Sequence, residues 1–589
     1  MVLLFIYTPL RKSGCAGAAD EECLVELKVK GIFELPESSF VPITTYRLAR
    51  PEFAWRNENA DNASDIHEHA FCVPLDGEPA SVCLSETREY YADRYGGTGQ
   101  GRHGGAGRCG TKGNVQIKGI GRTPLVGSKM QVDHSYGGTF LQEAIREALA
   151  GEICHYALPF GSVRVYGITL TGTQVPDIWP SGKRPVTSPR ALVARQAVIR
   201  PAHFMRAPLF GSDAGLRVND VARTRAAIGK LLDALRSSLV ENGGYRSAAA
   251  SLTDCLVEMS RRFAAQVAAA QAKRLVHGAL SPANIAVDGR WVDYGAFTVA
   301  SDYGRLATAS SVREPDAWWQ FASLLGTFRE LMYYARKYLA PEAAAGLPEA
   351  EELVGEYLRT VGCRFRIEFA KLTGIPEVAL KKMPAEIIER FCTSVQKVVA
   401  RGNRATFNPL ITGMPEKTGR FHLNTLLREA ALCMQPEQMF RALEPYLPDA
   451  PLRRELVDHY WPLRVIYAKA NADLDDRGHT YFALNAIRVN TVVKGLLRPQ
   501  LDERIEELVL GGGSVAHFMG PLLTEIRTFL ADPDGELIEL DGLFRCGVTL
   551  RVSPKSAAER REEMRTMLQA TGIGTFTDAG LARGTPKCA

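Results

Sequence analysis

The chain has 589 residues, 46% apolar and 23% charged, with a net charge of +5. That length exceeds a typical domain of about 100–200 residues, so several domains or one large core are expected. So small a positive balance argues against a dedicated nucleic-acid binder, which would gather Lys and Arg on one face, and the ordinary apolar content argues against a low-complexity chain. The twelve cysteines are scattered from Cys15 to Cys588 without a C-x-x-C pair. That pattern offers no zinc ribbon or thioredoxin-like motif and fits reduced, mostly buried thiols in the cytoplasm.

The opening M-V-L-L-F-I-Y-T-P-L run is too short to cross a bilayer and has no basic residues ahead of it. It reads as a strand or core segment rather than a signal peptide, and no later stretch is apolar enough to span a membrane. Residues 1–90 read as an N-terminal extension packing on a small lobe, with a strand-like piece at Cys23–Val29 and a polar stretch at Asn57–Ser64. A small α+β lobe is expected over 91–215. Its glycine-rich segment, Gly96 to Gly113, leads into Val115–Lys118, which alternates like a half-buried strand. Leu141–His155 predicts a helix with Leu141, Ile145, Leu149 and Ile153 on one stripe. Val163–Thr173 and Ala197–Ile199 predict strands. Residues 216–400 read as a helical large lobe, with helices at Val221–Val240, Ala248–Leu275, Asp316–Leu339 and Ala385–Ala400. A compact strand pair, Ile285–Asp293, interrupts them. The remainder, 401–589, reads as mostly helical, at 424–433, 499–509, 520–531 and 556–569, with loops at Gly511–Gly513 and Pro533–Gly535.

That strand pair carries the first chemical signal. Asp288–Gly289 predicts a two-residue type I′ hairpin turn, and counting outward from it sets Asn284 opposite Asp293. Directly opposed residues have Cβ atoms about 5 Å apart, so an amide oxygen and a carboxylate would meet there. A hard cation such as Mg²⁺ takes ligands of this kind and completes its shell with phosphate and water. H-x-x-x-x-x-x-N from His277, then a hairpin and D-Y-G from Asp293, has the spacing of a kinase catalytic loop and D-F-G motif.

Kinase-like chemistry also needs a phosphate cover, a lysine on a strand and an acidic partner on a helix. Gly99–Gly104 matches G-x-G-x-x-G, a weak signal alone, and no Walker A lysine follows. Lys118 ends the predicted strand and Glu147 lies on the next helix. Arg108, Arg200 and Arg206 present planar forks suited to phosphate oxygens. His67-Glu68-His69 lacks a third metal ligand and reads as a solvated loop. Gly512–Ala516 lacks the final glycine of a hydrolase elbow, and Asp532–Gly535 reads as a turn.

Taken in order, these motifs resemble the selenoprotein O family of protein adenylyltransferases from about Tyr90 to Ala340, with a fainter echo at Phe421–Ala431. Gly105-Ala106-Gly107-Arg108 is similar to the family's G-D-G-R, and Gln116-Ile117-Lys118-Gly119 with Thr123-Pro124 to its Q-L-K-G-x-G-x-T-P. Ala144-Ile145-Arg146-Glu147 with Leu149 and Glu152 resembles its S-I-R-E-x-L-x-x-E. The Arg200–Arg206 segment resembles its paired arginines, and His277-Gly278 through Asn284 with Asp293-Tyr294-Gly295 resembles its H-G-V-M-N-T-D-N and D-Y-G. Asp302-Tyr303 resembles an acidic residue and tyrosine that follow.

The resemblance implies an α+β, protein-kinase-like (pseudokinase) bilobal fold with a largely helical C-terminal extension. It implies ATP as substrate, Mg²⁺ or Mn²⁺ as cofactor, and AMP transfer to Ser, Thr or Tyr hydroxyls of a protein or peptide. By motif, Gly105, Gly107, Arg108, Arg200 and Arg206 would hold the nucleotide phosphates. Lys118 and Glu147 would form the ion pair, and Asn284 and Asp293 would bind the metal. The chain departs from the family where its proposed base, an Asp before the metal-binding Asn, is Ala283. The kinase aspartate position is Ala279, also without a carboxylate. Losing a positioned base costs about 10²–10⁴-fold. Asp302 is the candidate substitute, and a nucleotide-binding scaffold in a peptide-modification assembly is the alternative reading.

Overall fold

The structure is a computed structural model that describes residues 31–60, 63–75, 81–98, 101–128, 135–176, 187–211, 214–242, 250–300, 305–306, 319–402, 406–407, 423–470 and most of 482–530. The expected elements at residues 1–14, Cys23–Val29 and 556–569, the turn at Pro533–Gly535, the start of the G-x-G-x-x-G match and Asp302 lie outside the described residues.

The chain is an α+β protein. Among the described residues its main sheet has eight strands: β1 Phe40–Leu48, β2 Glu52–Arg56, β3 Phe71–Cys72, β4 Val82–Asp93, β5 Cys109–Lys112, β6 Val115–Lys118, β7 Val165–Pro176 and β8 Thr187–Gln196, in the order β2-β7-β8-β6-β5-β4-β1-β3. Every pairing is antiparallel. Residues before 90 therefore supply β1 to β3 and most of β4 to the same sheet as the later strands.

Both faces of the sheet are covered, and the sequence of β8 explains how. Successive residues of a strand point to opposite faces. Ala191 and Val193 enter the core built around helix α1, Leu141–Ala157. Leu192 and Ala194 enter a second core with Ile43, Ile66, Phe71 and Ile117. A strand buried on both sides reads as a continuous apolar run, here A-L-V-A. The strand expected at Ala197–Ile199 is instead irregular chain following β8. Within β8, Pro189 cannot donate to a ladder. Its position is tolerated because it pairs with Gln174 just beyond a register slip between Leu170 and Gln174. Val198 and Ile199 are apolar because they pack in the interior, and the Ile199 carbonyl accepts from the Val287 amide at 2.9 Å.

The rest of the described chain is mostly helical, with two short strand pairs, Leu275–Val276 antiparallel to Thr298–Val299 and Arg305–Leu306 parallel to Thr406–Phe407. The single helix expected at Val221–Val240 is two, α2 Asp220–Ile228 and α3 Leu231–Glu241, parted at Gly229–Lys230. Helix α4, Leu252–Ala272, starts at a capping box in which Ser251 and Asp254 each satisfy the other's backbone amide. Its alanine-rich second half is buried almost all round. It packs along α6, Ala350–Lys371, with α5, Leu325–Tyr338, beside them. Helices α7 Ala385–Gly402, α8 Leu423–Ala431 and α9 Ala450–Ala470 share a separate core with Phe369 and Ile375. Helices α10 Arg498–Leu510 and α11 Val515–Leu530 do not join it. They return to α1, and Leu501, Ile505, Met519 and Ile526 belong to the α1 core. Among the described residues no helix is long and apolar enough to cross a membrane.

Candidate functional site

The site forms where the edge of the α1-facing surface of β6 and β8 meets the segment after the hairpin. Strand parity aims Gln116 and Lys118 of β6 away from Ile117, and Arg195 of β8 away from Ala194, so all three share the face that α1 covers. The register sets Gln116 opposite Arg195 and Lys118 opposite Val193. On α1, Glu143 and Glu147 are four residues apart and so lie on one side of the helix.

Those two facts bring the charges together. Lys118, 1% exposed, forms a direct ion pair with Glu147, contacts Asp293 Oδ1 at 2.7 Å, and lies 3.3 Å from Glu143 Oε1. The second oxygen of Glu147 accepts from Arg195, whose remaining donors reach Gln116 Oε1 at 2.9 and 3.1 Å. Arg108 grips Glu143 with two bonds, of 2.6 and 3.1 Å. Three cations, Arg108, Lys118 and Arg195, thus face three carboxylates, Glu143, Glu147 and Asp293. Burial works against the Lys118 ammonium, but Asp293, Glu147 and Glu143 outweigh it and hold its pKa above the ordinary lysine value. Burial likewise opposes the Asp293 carboxylate, yet Lys118, with Arg195 and Arg108, keeps it well below the usual carboxylate range. Glu143 is drawn down to about 2 despite burial, chiefly by Arg108 and then Lys118.

Asp293 has φ +66°, a left-handed conformation that aspartate tolerates better than most residues. It turns the chain out of the hairpin and delivers its carboxylate to Lys118. The hairpin itself differs from the expected one. Ile285 pairs with Trp291, Ala286 N donates to Arg290 O at 2.8 Å, and Val292 N donates to Asn284 O at 3.1 Å. The loop is therefore three residues, Val287 to Gly289, and Asn284 stands opposite Val292 rather than Asp293. The cause is the Asp288 side chain, which accepts from the Arg290 amide at 3.0 Å and from Arg290 Nε at 2.8 Å. That bond closes the turn, so only Gly289 takes a positive φ and no type I′ turn forms.

Asn284 donates its amide to Ala279 O at 2.8 Å. Its Oδ1 makes no hydrogen bond among the described residues. Asn284 offers an amide oxygen and Asp293 an ionised carboxylate, without the direct opposition expected of them, and among the described residues no three His, Cys, Asp or Glu side chains are grouped to hold a metal. Two hard oxygen donors suit Mg²⁺ or Mn²⁺ arriving with phosphate and water better than a resident, fully protein-ligated ion.

The other predicted residues fall in two places. Arg200 is buried and joins the network, donating to Ala283 O at 2.8 Å and to Gln116 Oε1 at 3.1 Å. Gly105 leads the G-A-G-R segment toward Arg108. It has φ +146°, and an added Cβ would stand 2.2 Å from Asp93 O, so only glycine fits. Gly107 passes Val126 at closer than ordinary contact for a Cβ. Arg206 is apart: it pairs at 3.4 Å with Asp220, which also binds Arg223 at 2.6 Å. Ala283 is buried among Tyr95, Ala106, Cys109 and Ala202, a small apolar patch. His69, read as part of a solvated loop, closes a 3-10 helix and bonds the Tyr90 hydroxyl at 2.9 Å.

Sequence reasoning missed Arg195, Glu143 and Asp93. Asp93 accepts from Gln116 at 3.1 Å and pairs with His203 at 3.0 Å, extending the buried network beneath Arg200. Arg195 carried no alternation signal, because it follows the continuous apolar run Ala191–Ala194 in a strand that also holds Thr187, Ser188, Arg190 and Gln196. Searches of protein-family models and of curated proteins return no match, so the selenoprotein O resemblance rests on its motif residues.

Proposed function

We propose that the chain is an ATP- and Mg²⁺-dependent nucleotidyltransferase with a protein-kinase-like fold that moves AMP to Ser, Thr or Tyr hydroxyls of a protein or peptide. The observation that carries this reading is the buried lysine held at once by a helix carboxylate and by the aspartate of D-Y-G. A lysine so placed is a fixed cation for phosphate oxygens, and phosphoryl-type transfer depends mainly on positioning and charge neutralisation. Arg108 and Arg200 flank it. Phosphate binding at Arg108 exchanges Glu143 for a phosphate oxygen. Asn284 and Asp293 would hold the metal, which supplies further neutralisation of the phosphates. In the reaction the acceptor oxygen bonds to the α-phosphorus, the bond to the β-phosphate oxygen breaks, pyrophosphate leaves, and the hydroxyl proton passes to solvent.

A second reading, a nucleotide-binding scaffold without transfer, is favoured by Ala283. Its side chain packs in an apolar patch where the family has a carboxylate.

Incubation with α-labelled and with γ-labelled ATP separates the readings. Label on protein from the α position only, lost in Asp293→Ala, is expected. Label from the γ position only would replace AMP transfer with kinase chemistry. ATP-dependent thermal stabilisation with no label from either position would favour the scaffold.

A further inference from the structure

Helix α10 reaches both α1 and the 293–299 segment of the candidate site through one carboxylate. Asp502 pairs with Arg146 on α1 at 3.0 Å and with Arg498, one turn earlier on α10, at 2.9 Å. Arg146 adjoins Glu147, the partner of Lys118. Arg498 in turn donates to the carbonyls of Phe297 at 3.0 Å and Gly295 at 3.3 Å, in the segment that begins at Asp293. Just before α10, Leu497 forms a parallel bridge with Val299. Asp502 and Arg498 are mostly buried, with side chains 13% and 11% exposed. A small cavity remains between α1, Phe297 and Leu501.

We infer that Asp502 is a positioning residue, which through Arg146 and Arg498 locks α1 and the 293–299 segment in the arrangement that brings Glu147 and Asp293 onto Lys118. The inference rests on the nucleotide-site reading for its effect on binding, and on geometry alone for its effect on the two segments. A bridge that favours the binding-competent arrangement must itself be strengthened by ligand, because coupling between two sites is reciprocal.

The test uses the full chain, with Asp502→Asn and the conservative Asp502→Glu. Amide exchange over 141–157 and 293–299 is expected to quicken in the Asn variant and to stay near wild type in the Glu variant. MgATP affinity measured by calorimetry is expected to fall about tenfold in Asn, equivalent to about 1.4 kcal/mol, and to recover in Glu. In the wild type, saturating MgATP is expected to slow exchange in 498–510, which a merely structural brace would not do and which needs no variant. Unchanged MgATP affinity in a folded Asn variant, or MgATP binding that leaves 498–510 unaffected, would overturn the inference. If the wild type binds no MgATP, the nucleotide reading fails. The positioning role then stands or falls on whether exchange over 141–157 and 293–299 changes in the Asn variant.

Discussion

His277 lies fully buried against the Trp291 ring, its Nε2 donating to Val292 O at 3.1 Å. Burial pushes its pKa from the ordinary value of 6.5 down to about 4, against the pull of the Val292 carbonyl and Asp293. The folded chain thus keeps this imidazole neutral while the unfolded chain takes a proton below pH 6.5. The associated stability is full above pH 6.5 and is lost as pH falls toward 4, by about 3 kcal/mol. His155, also lowered to about 4 mainly by burial, titrates in the same window. Replacing His277 with Gln keeps a donor for Val292 and removes one titration. Urea titrations across pH 6.5 to 4 should therefore show a shallower, though not flat, loss of stability in His277→Gln. An equal slope in both proteins would mean that His277 is protonated in the fold.

Strand β8 carries the next prediction, because its parity puts Arg195 between two acceptors. Arg195→Met would leave the second Glu147 oxygen without its donor in a buried site, and Gln116 Oε1 with Arg200 alone. Breaking a buried charge pair by removing one partner costs about 3–5 kcal/mol, so urea unfolding should show a loss of that size. Arg195→Lys keeps the charge but cannot span both acceptors, and should lose less. The two strands differ in how much their sequences disclosed. Val115–Lys118 alternates and lies between Gly113 and Gly119, so its limits were readable, as was the helix that supplies Glu147, but a half-buried strand would leave Lys118 in solvent and its burial was not readable. β8 was not among the expected strands, and its continuous apolar run, Ala191–Ala194, has no parity signal from which to pick out Arg195. The hairpin was recognisable from Asp-Gly, yet its register was not. Asp-Gly favours a two-residue turn only when the Asp side chain does not itself close a longer one, and the bonds from Asp288 to Arg290 do that here.

At the scale of the molecule, helices α10 and α11 were expected from periodicity, but an amphipathic pattern does not say which core its apolar face will join. The third core of the sequence order, that of α7 to α9, lies between them and α1 along the chain, and they pass it to reach α1. The site they help frame is internally balanced, three cations against three carboxylates. An ATP molecule accompanied by its divalent ions is also close to neutral. Encounter between two nearly neutral bodies gains little from long-range attraction, and added salt screens only what attraction there is. MgATP affinity should therefore change less than about threefold between 50 and 500 mM KCl, measured by calorimetry. Metal-free ATP, with its bare charge meeting no excess of positive potential, should bind poorly at every ionic strength. A steep fall with salt would show instead an open basic funnel, the kind of surface that gathers polyanions indiscriminately. On the proposed function and the balance described, the ligand would be admitted only as an ion complex already assembled in solution, so the free magnesium level, more than the total nucleotide pool, would set the occupancy.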